Sequence, residues 1–162
     1  MRKFLFLAMS AAMSLLAASC GGGSSPSDEP DDGGFVHGEY RVEITQEFVG
    51  VNPEDCYIIY AFSEGDGISD GIYDATTGKN MGMAFTLSDD QTRVTKMSYK
   101  TGKNGIDIMF ALGGRFMNGA TGTVNIEMSF YLGGKLLGTE HVTMTGDFGP
   151  VTYSTDKWTN RD

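Results

Sequence analysis

The sequence predicts an all-β domain, an antiparallel β-sandwich with a small up-and-down β-barrel as the other way of closing it. Apolar residues recur with period two along most of the chain after residue 35, and no segment of ten or more residues there sustains a helical period. The alternating runs are separated by turn formers, in a chain that holds 23 glycines.

In Tyr40-Arg41-Val42-Glu43-Ile44-Thr45, the residues Tyr40, Val42 and Ile44 face one way and Arg41, Glu43 and Thr45 the other, as in a strand with one wet face. The same alternation turns Met81, Met83, Phe85 and Leu87 inward, then Ile106, Ile108, Phe110 and Leu112, then Val124, Ile126, Met128 and Phe130. The run Cys56-Tyr57-Ile58-Ile59-Tyr60-Ala61-Phe62 is apolar on both faces, so it is either a central strand covered on both sides or part of a contact surface.

Two turns test the register. Asn104-Gly105 reads as a two-residue hairpin whose turn positions need positive φ, and it pairs Tyr99 with Phe110 and Met97 with Leu112. At Leu132-Gly133-Gly134-Lys135-Leu136, a two-residue loop sets inward Ile126 opposite polar His141. A three-residue loop, Gly133 to Lys135, sets Ile126 opposite Val142 and Val124 opposite Met144. Because a one-residue slip turns every side chain over, the three-residue loop with a bulge is expected. The C-terminal order "VNIEMSFYLGGKLLGTEHV" followed by "GDFGPVTYST" resembles the closing strands of immunoglobulin-like modules. That resemblance implies an immunoglobulin-like sandwich and brings no active residues with it.

The N-terminus places the protein. Arg2 and Lys3 precede an apolar run from Phe4 to Ala18 and then small residues, the order of a secretory signal and too short for a membrane span of about 20 apolar residues. Leu16-Ala17-Ala18-Ser19-Cys20 resembles the bacterial lipobox, which implies that residues 1–19 are removed and Cys20 becomes the lipidated first residue. Residues 20–34 then form a tether, since Gly21 to Gly34 contain only Gly, Ser, Pro, Asp and Glu and cannot bury enough apolar surface to order themselves. The acids Asp28, Glu29, Asp31 and Asp32 are similar to the acidic segment of Bacteroidetes-type surface lipoproteins, which implies an outer-membrane protein. They begin eight residues after Cys20, which leaves the cell surface and the periplasmic face both open. Residues 35–162 form the single folded domain.

Removing residues 1–19 takes Arg2 and Lys3 from the 12 cations and nothing from the 21 acids, so 10 face 21 and the net charge is near −11. Such a surface repels nucleic acid, which is excluded as a partner. With Cys20 committed to lipid, Cys56 has no disulfide partner and reads as a small core residue.

Chemistry-bearing motifs are sparse. Gly67-Ile68-Ser69-Asp70-Gly71 fits G-x-S-x-G, but that serine works on a strand-to-helix turn with a histidine and an acid supplied by an α/β sheet. The only histidines are His37 and His141, at the tether junction and on an outward strand face. Ser154-Thr155-Asp156-Lys157 fits S-x-x-K without its companion motifs. No catalytic residue is assigned and no enzymatic activity is expected. The loop "SEGDGISDGIYD" gathers Glu64, Asp66, Asp70 and Asp74 among glycines, hard oxygen donors of the kind Ca²⁺ takes, without EF-hand spacing. Glycine and aspartate are equally the commonest turn formers. Tyr73, Tyr131 and Trp158 are candidates for an exposed aromatic platform that stacks on a sugar, with Trp158 alternatively covering one end of the sandwich.

The expected function is that of a membrane-anchored lipoprotein acting as a non-enzymatic binding or accessory module of the cell envelope, with a protein or glycan partner met through loops and strand edges. A structural module that pairs an edge strand with another chain, and a small barrel holding an apolar ligand, are the alternatives.

Overall fold

The computed structural model describes residues 36–65 and 70–159. Cys20 with its lipobox, the acidic tether, Asp66, Gly67 and Ser69 therefore lie outside the described residues. Ten strands follow in chain order: β1 (Tyr40–Val49), β2 (Cys56–Glu64), β3 (Ile72–Asp74), β4 (Asn80–Gly82), β5 (Ala84–Leu87), β6 (Lys96–Thr101), β7 (Ile108–Phe116), β8 (Thr123–Leu132), β9 (Lys135–Met144) and β10 (Phe148–Ser154). They form a six-stranded sheet in the order β4-β3-β6-β1-β8-β9 and a four-stranded sheet in the order β10-β7-β2-β5. The pairings are antiparallel and the sheets make a sandwich, as predicted. The sheets do not close on each other, so the barrel alternative falls.

The period-two pattern places most of the core. Tyr40, Val42 and Ile44 are buried, as are Ile106, Ile108, Phe110 and Leu112, and Val124, Ile126, Met128 and Phe130. β2 lies centrally between β5 and β7, and its second face is shielded too, with Ile59 and Ala61 buried. At the centre of the core the Phe62 ring lies 4.8 Å from Phe85, 4.8 Å from Tyr99 and 5.4 Å from Phe110, joining the two sheets.

Three expectations need correction. The run Met81–Leu87 is not one inward strand, because β4 pairs with β3 in one sheet and β5 with β2 in the other. Gly82, at φ 90°, turns the chain across, and Met83 at the crossing is 37% exposed. Asn104-Gly105 does not close a hairpin between β6 and β7, which belong to different sheets. Neither residue takes the positive φ that such a turn requires. Glycine is needed at 105 for another reason: a Cβ there would lie 2.2 Å from Thr101 Oγ1. The β8–β9 register is the expected one, Ile126 opposite Val142 and Val124 opposite Met144, but the loop is shorter. Gly133 and Gly134, at φ 56° and 83°, form a two-residue turn. The extra residue sits as a bulge at Leu137, within β9.

Buried polar groups are internally satisfied at two places. Tyr60 Oη donates to Gln46 Oε1 at 2.9 Å, and Gln46 Nε2 donates to the carbonyls of Thr92 and Val94 at 2.7 and 2.8 Å. Burial pushes the Tyr60 hydroxyl far above its ordinary pKa, and burial followed by the charge of Asp74 pushes Tyr99 up to about 12. Cys56 is a buried free cysteine, as expected, with Sγ 3.6 Å from the Asn52 carbonyl. Burial, with Asp55 adding to it, raises its pKa and keeps it a thiol rather than a nucleophilic thiolate.

Candidate functional site

The acidic loop is shorter than its sequence suggests. Ser63 and Glu64 belong to β2, and Ile72, Tyr73 and Asp74 to β3. Glu64 is buried at the base of the loop and Asp70 is exposed. Asp74 is turned away to local work: its Oδ1 accepts from the backbone N–H groups of Thr76 and Thr77, both at 2.8 Å. Among the described residues, no group of three or more His, Cys, Asp or Glu side chains converges to hold a metal. Asp70 lies where the chain enters the domain. A Cβ on Gly102 would stand 3.9 Å from Asp70 Oδ2, and the neighbouring Gly105 carbonyl accepts from Gly38 N–H at 2.9 Å.

Ser154 and Lys157 of the S-x-x-K match are occupied by structural bonds. Ser154 Oγ donates to Asp107 Oδ2 at 2.6 Å, and the Thr155 N–H donates to Asp107 Oδ1 at 2.8 Å, with the Thr155 hydroxyl on the same oxygen. Lys157 Nζ donates to Glu140 Oε1. This cluster fastens the C-terminal turn, Thr155–Trp158, against β7 and β9. Trp158 is thereby sent inward rather than to a platform, its ring 4.4 Å from Phe130. The tryptophan fills the space over Gly138, where a Cβ would meet it at 2.4 Å.

The outer face of the six-stranded sheet is the open, side-chain-rich surface. Alternation along β1, β8 and β9 leaves Glu47, Asn125 and Thr143 in one cross-strand row and Thr45, Glu127 and His141 in the next. Together they border a depression of about 480 Å³. Its groups are knitted to one another: Asn125 Nδ2 donates to Glu47 Oε2 at 3.2 Å, Thr143 Oγ1 donates to Asn125 Oδ1 at 3.3 Å, and His141 Nδ1 lies 3.8 Å from Glu127 Oε2.

Nearer the end where the chain enters, a further row runs across five strands. Tyr73 of β3 stands opposite Lys100 of β6, Lys100 opposite Arg41 of β1, Arg41 opposite Tyr131 of β8, and Tyr131 opposite Leu136 of β9. The Arg41 guanidinium lies over the Tyr131 ring, 4.4 Å from its centroid. Arg41 pairs with Glu43 at 3.4 Å and Lys100 with Glu39 at 2.8 Å. Of the three candidate aromatics the fold thus brings Tyr73 and Tyr131 onto one face and removes Trp158. Alternation already turns Arg41 and Tyr131 outward in the sequence itself. Their alignment with Lys100 and Tyr73 depends on non-local pairings.

No family model matches the chain, and no curated protein matches it. Solved structures do. A DUF4425 family protein from Bacteroides ovatus superposes with a TM-score of 0.59 at 18% identity, over 74% of this chain and 97% of that one. A domain of unknown function, DUF4425, from Bacteroides vulgatus gives 0.57 at 16% identity, over 73% and 91%. The calcium-bound form of a protein from Parabacteroides distasonis gives 0.54 at 18% identity, over 82% and 99%. All three sources are Bacteroidetes, in keeping with the Bacteroidetes-type resemblance of the N-terminus, and at these identities the likeness is one of fold.

Proposed function

We propose that this chain is a lipid-anchored, non-enzymatic binding module of the bacterial cell envelope, and that its contact surface is the outer face of the six-stranded sheet. The observation that supports this is the 480 Å³ depression bordered by polar side chains on a sheet face that, among the described residues, no second sheet covers. The S-x-x-K groups are meanwhile committed to structural bonds. Contact through a face is favoured over strand addition at an edge. The long edge strand β9 carries a bulge at Leu137 and an inward-turned Glu140, and edge strand β10 carries Pro150, all devices that discourage pairing with another chain. A photoreactive residue at Ser129, on this face, is expected to form adducts in intact cells, and one at Thr86, on the outside of the other sheet, is not. Adducts from neither position, or from Thr86 alone, would end this reading.

A second reading is favoured by the calcium-bound structural neighbour: Ca²⁺ held at the end of the domain where Glu64 and Asp70 flank residues 66–69. The expected result is a higher melting temperature at millimolar Ca²⁺, since a ligand that binds only the folded state contributes about 2.7 kcal/mol at a hundred times its Kd. Glu64→Gln with Asp70→Asn should remove the shift. A melting curve that does not move with Ca²⁺ excludes the metal.

A further inference from the structure

We propose that the row Tyr73–Lys100–Arg41–Tyr131 is a docking site for a carboxylate-bearing polysaccharide laid across the strands. The proposal rests on the reading of the outer sheet face as the contact surface and names its ligand class.

The first support is electrostatic. Arg41 and Lys100 are direct cross-strand partners on one face, which sets two cations side by side at a spacing of about 5 Å, an arrangement that weakens a sheet. They sit together in a domain, residues 35–162, with 10 cations against 17 acids, where a random surface neighbour is more often acidic. The acids nearby do not exhaust them. Glu43 takes a contact from Arg41 and Glu39 one from Lys100, whereas a guanidinium carries five N–H donors and an ammonium three.

The second support is shape. The Tyr131 ring backs the Arg41 guanidinium at 4.4 Å, and a guanidinium is a planar fork of donors that matches a carboxylate with two parallel hydrogen bonds. Tyr73 and Tyr131 bracket the two cations and are separated by three strand spacings, about 14 Å. An extended chain of sugar rings can reach both tyrosines while presenting its carboxylates to the cations between them.

The third support is confinement. Glu43, Glu127 and Glu47 occupy the rows beyond Arg41 on the same face. A flat anionic membrane laid on this face would meet those acids along with the cations. A linear acidic glycan that follows the row across the strands meets Glu43 and Glu39, each already in contact with a cation of the row, and stays clear of Glu127 and Glu47.

The test uses the full-length Cys20→Ala chain in native gels cast with polygalacturonate, with dextran, or with neither, beside co-sedimentation with vesicles rich in phosphatidylglycerol. Retardation by polygalacturonate and not by dextran is expected. Arg41→Ala and Lys100→Ala should each weaken it about tenfold, and Arg41→Lys should weaken it as well because it keeps the charge and loses the fork. Unchanged melting curves show that the variants remain folded. No retardation by polygalacturonate, equal retardation by dextran, undiminished retardation of the Arg41→Ala/Lys100→Ala chain, or binding only to the vesicles would each overturn the proposal. A protein adduct from Ser129 without polygalacturonate retardation would remove the glycan and keep the contact face. No adduct and no retardation would remove both.

Discussion

Phe62→Ala is expected to lower the unfolding free energy by about 3–5 kcal/mol, the usual cost of deleting a large buried aromatic. Phe62 is 2% exposed, and its ring is shared among Phe85, Tyr99, Phe110 and Tyr60. Tyr99 comes from the six-stranded sheet, while Phe62, Phe85 and Phe110 belong to the four-stranded one. Truncation therefore removes packing within one sheet and one of the ring contacts that tie it to the other. The flanking strands are held by their ladders and cannot collapse onto the gap, so the lost contacts are not remade. Against a typical total of about 5–15 kcal/mol, this is enough to leave the domain marginal. Urea titration should show a lower midpoint with an unchanged slope. Phe85→Ala, at a half-buried ring on edge strand β5, should cost clearly less. A loss below about 1.5 kcal/mol for Phe62→Ala would mean that the two sheets are not joined through this ring.

Cys20→Ala is expected to move the protein from the membrane fraction to the soluble fraction with no change in the melting of its domain. The expected attachment is by acyl chains, at about 0.8 kcal/mol for each CH₂ placed in the bilayer, and with several chains the fraction retained should fall from nearly all to nearly none when they are absent. The domain should be indifferent, because its core is built from residues 40 to 144, which Cys20 precedes. Its other cysteine, Cys56, is buried in that core. Fractionation with and without a carbonate wash, read against the melting curve of the released protein, separates loss of the anchor from loss of the fold. An unchanged membrane fraction would sink the lipoprotein reading.

The candidate site was only partly legible. The outward positions of Arg41, Glu43 and Tyr131 follow from alternation along single strands, because successive side chains point to opposite faces whatever the strand pairs with. The acid cluster was legible as composition and misleading as geometry. Of its four members, Glu64 is drawn into a strand, Asp74 is consumed by a turn, and Asp66 is outside the described residues. Trp158 read equally well as a platform or a cover, and what decides for the cover is Gly138, a residue twenty positions away that leaves room for the indole.

What the sequence by itself determined is what depends on neighbours along the chain. It set which residues of β1, β7 and β8 turn inward, and it set the β8–β9 register, because a slip of one residue would have brought His141 into the core opposite Ile126. Only the tertiary structure decided which strands pair. Asn104-Gly105 carries a strong local hairpin signal, yet β6 takes β1 and β3 as partners while β7 takes β2 and β10. Likewise, an unbroken alternation from Met81 to Leu87 is divided between two sheets at Gly82. The physical reason is that alternation is fixed by backbone geometry, whereas a strand's partner is chosen by burial of whole faces against residues far away in sequence. The Tyr73–Lys100–Arg41–Tyr131 row is a product of that choice: it joins four strands, and no two of its residues lie within 20 positions of each other in the chain.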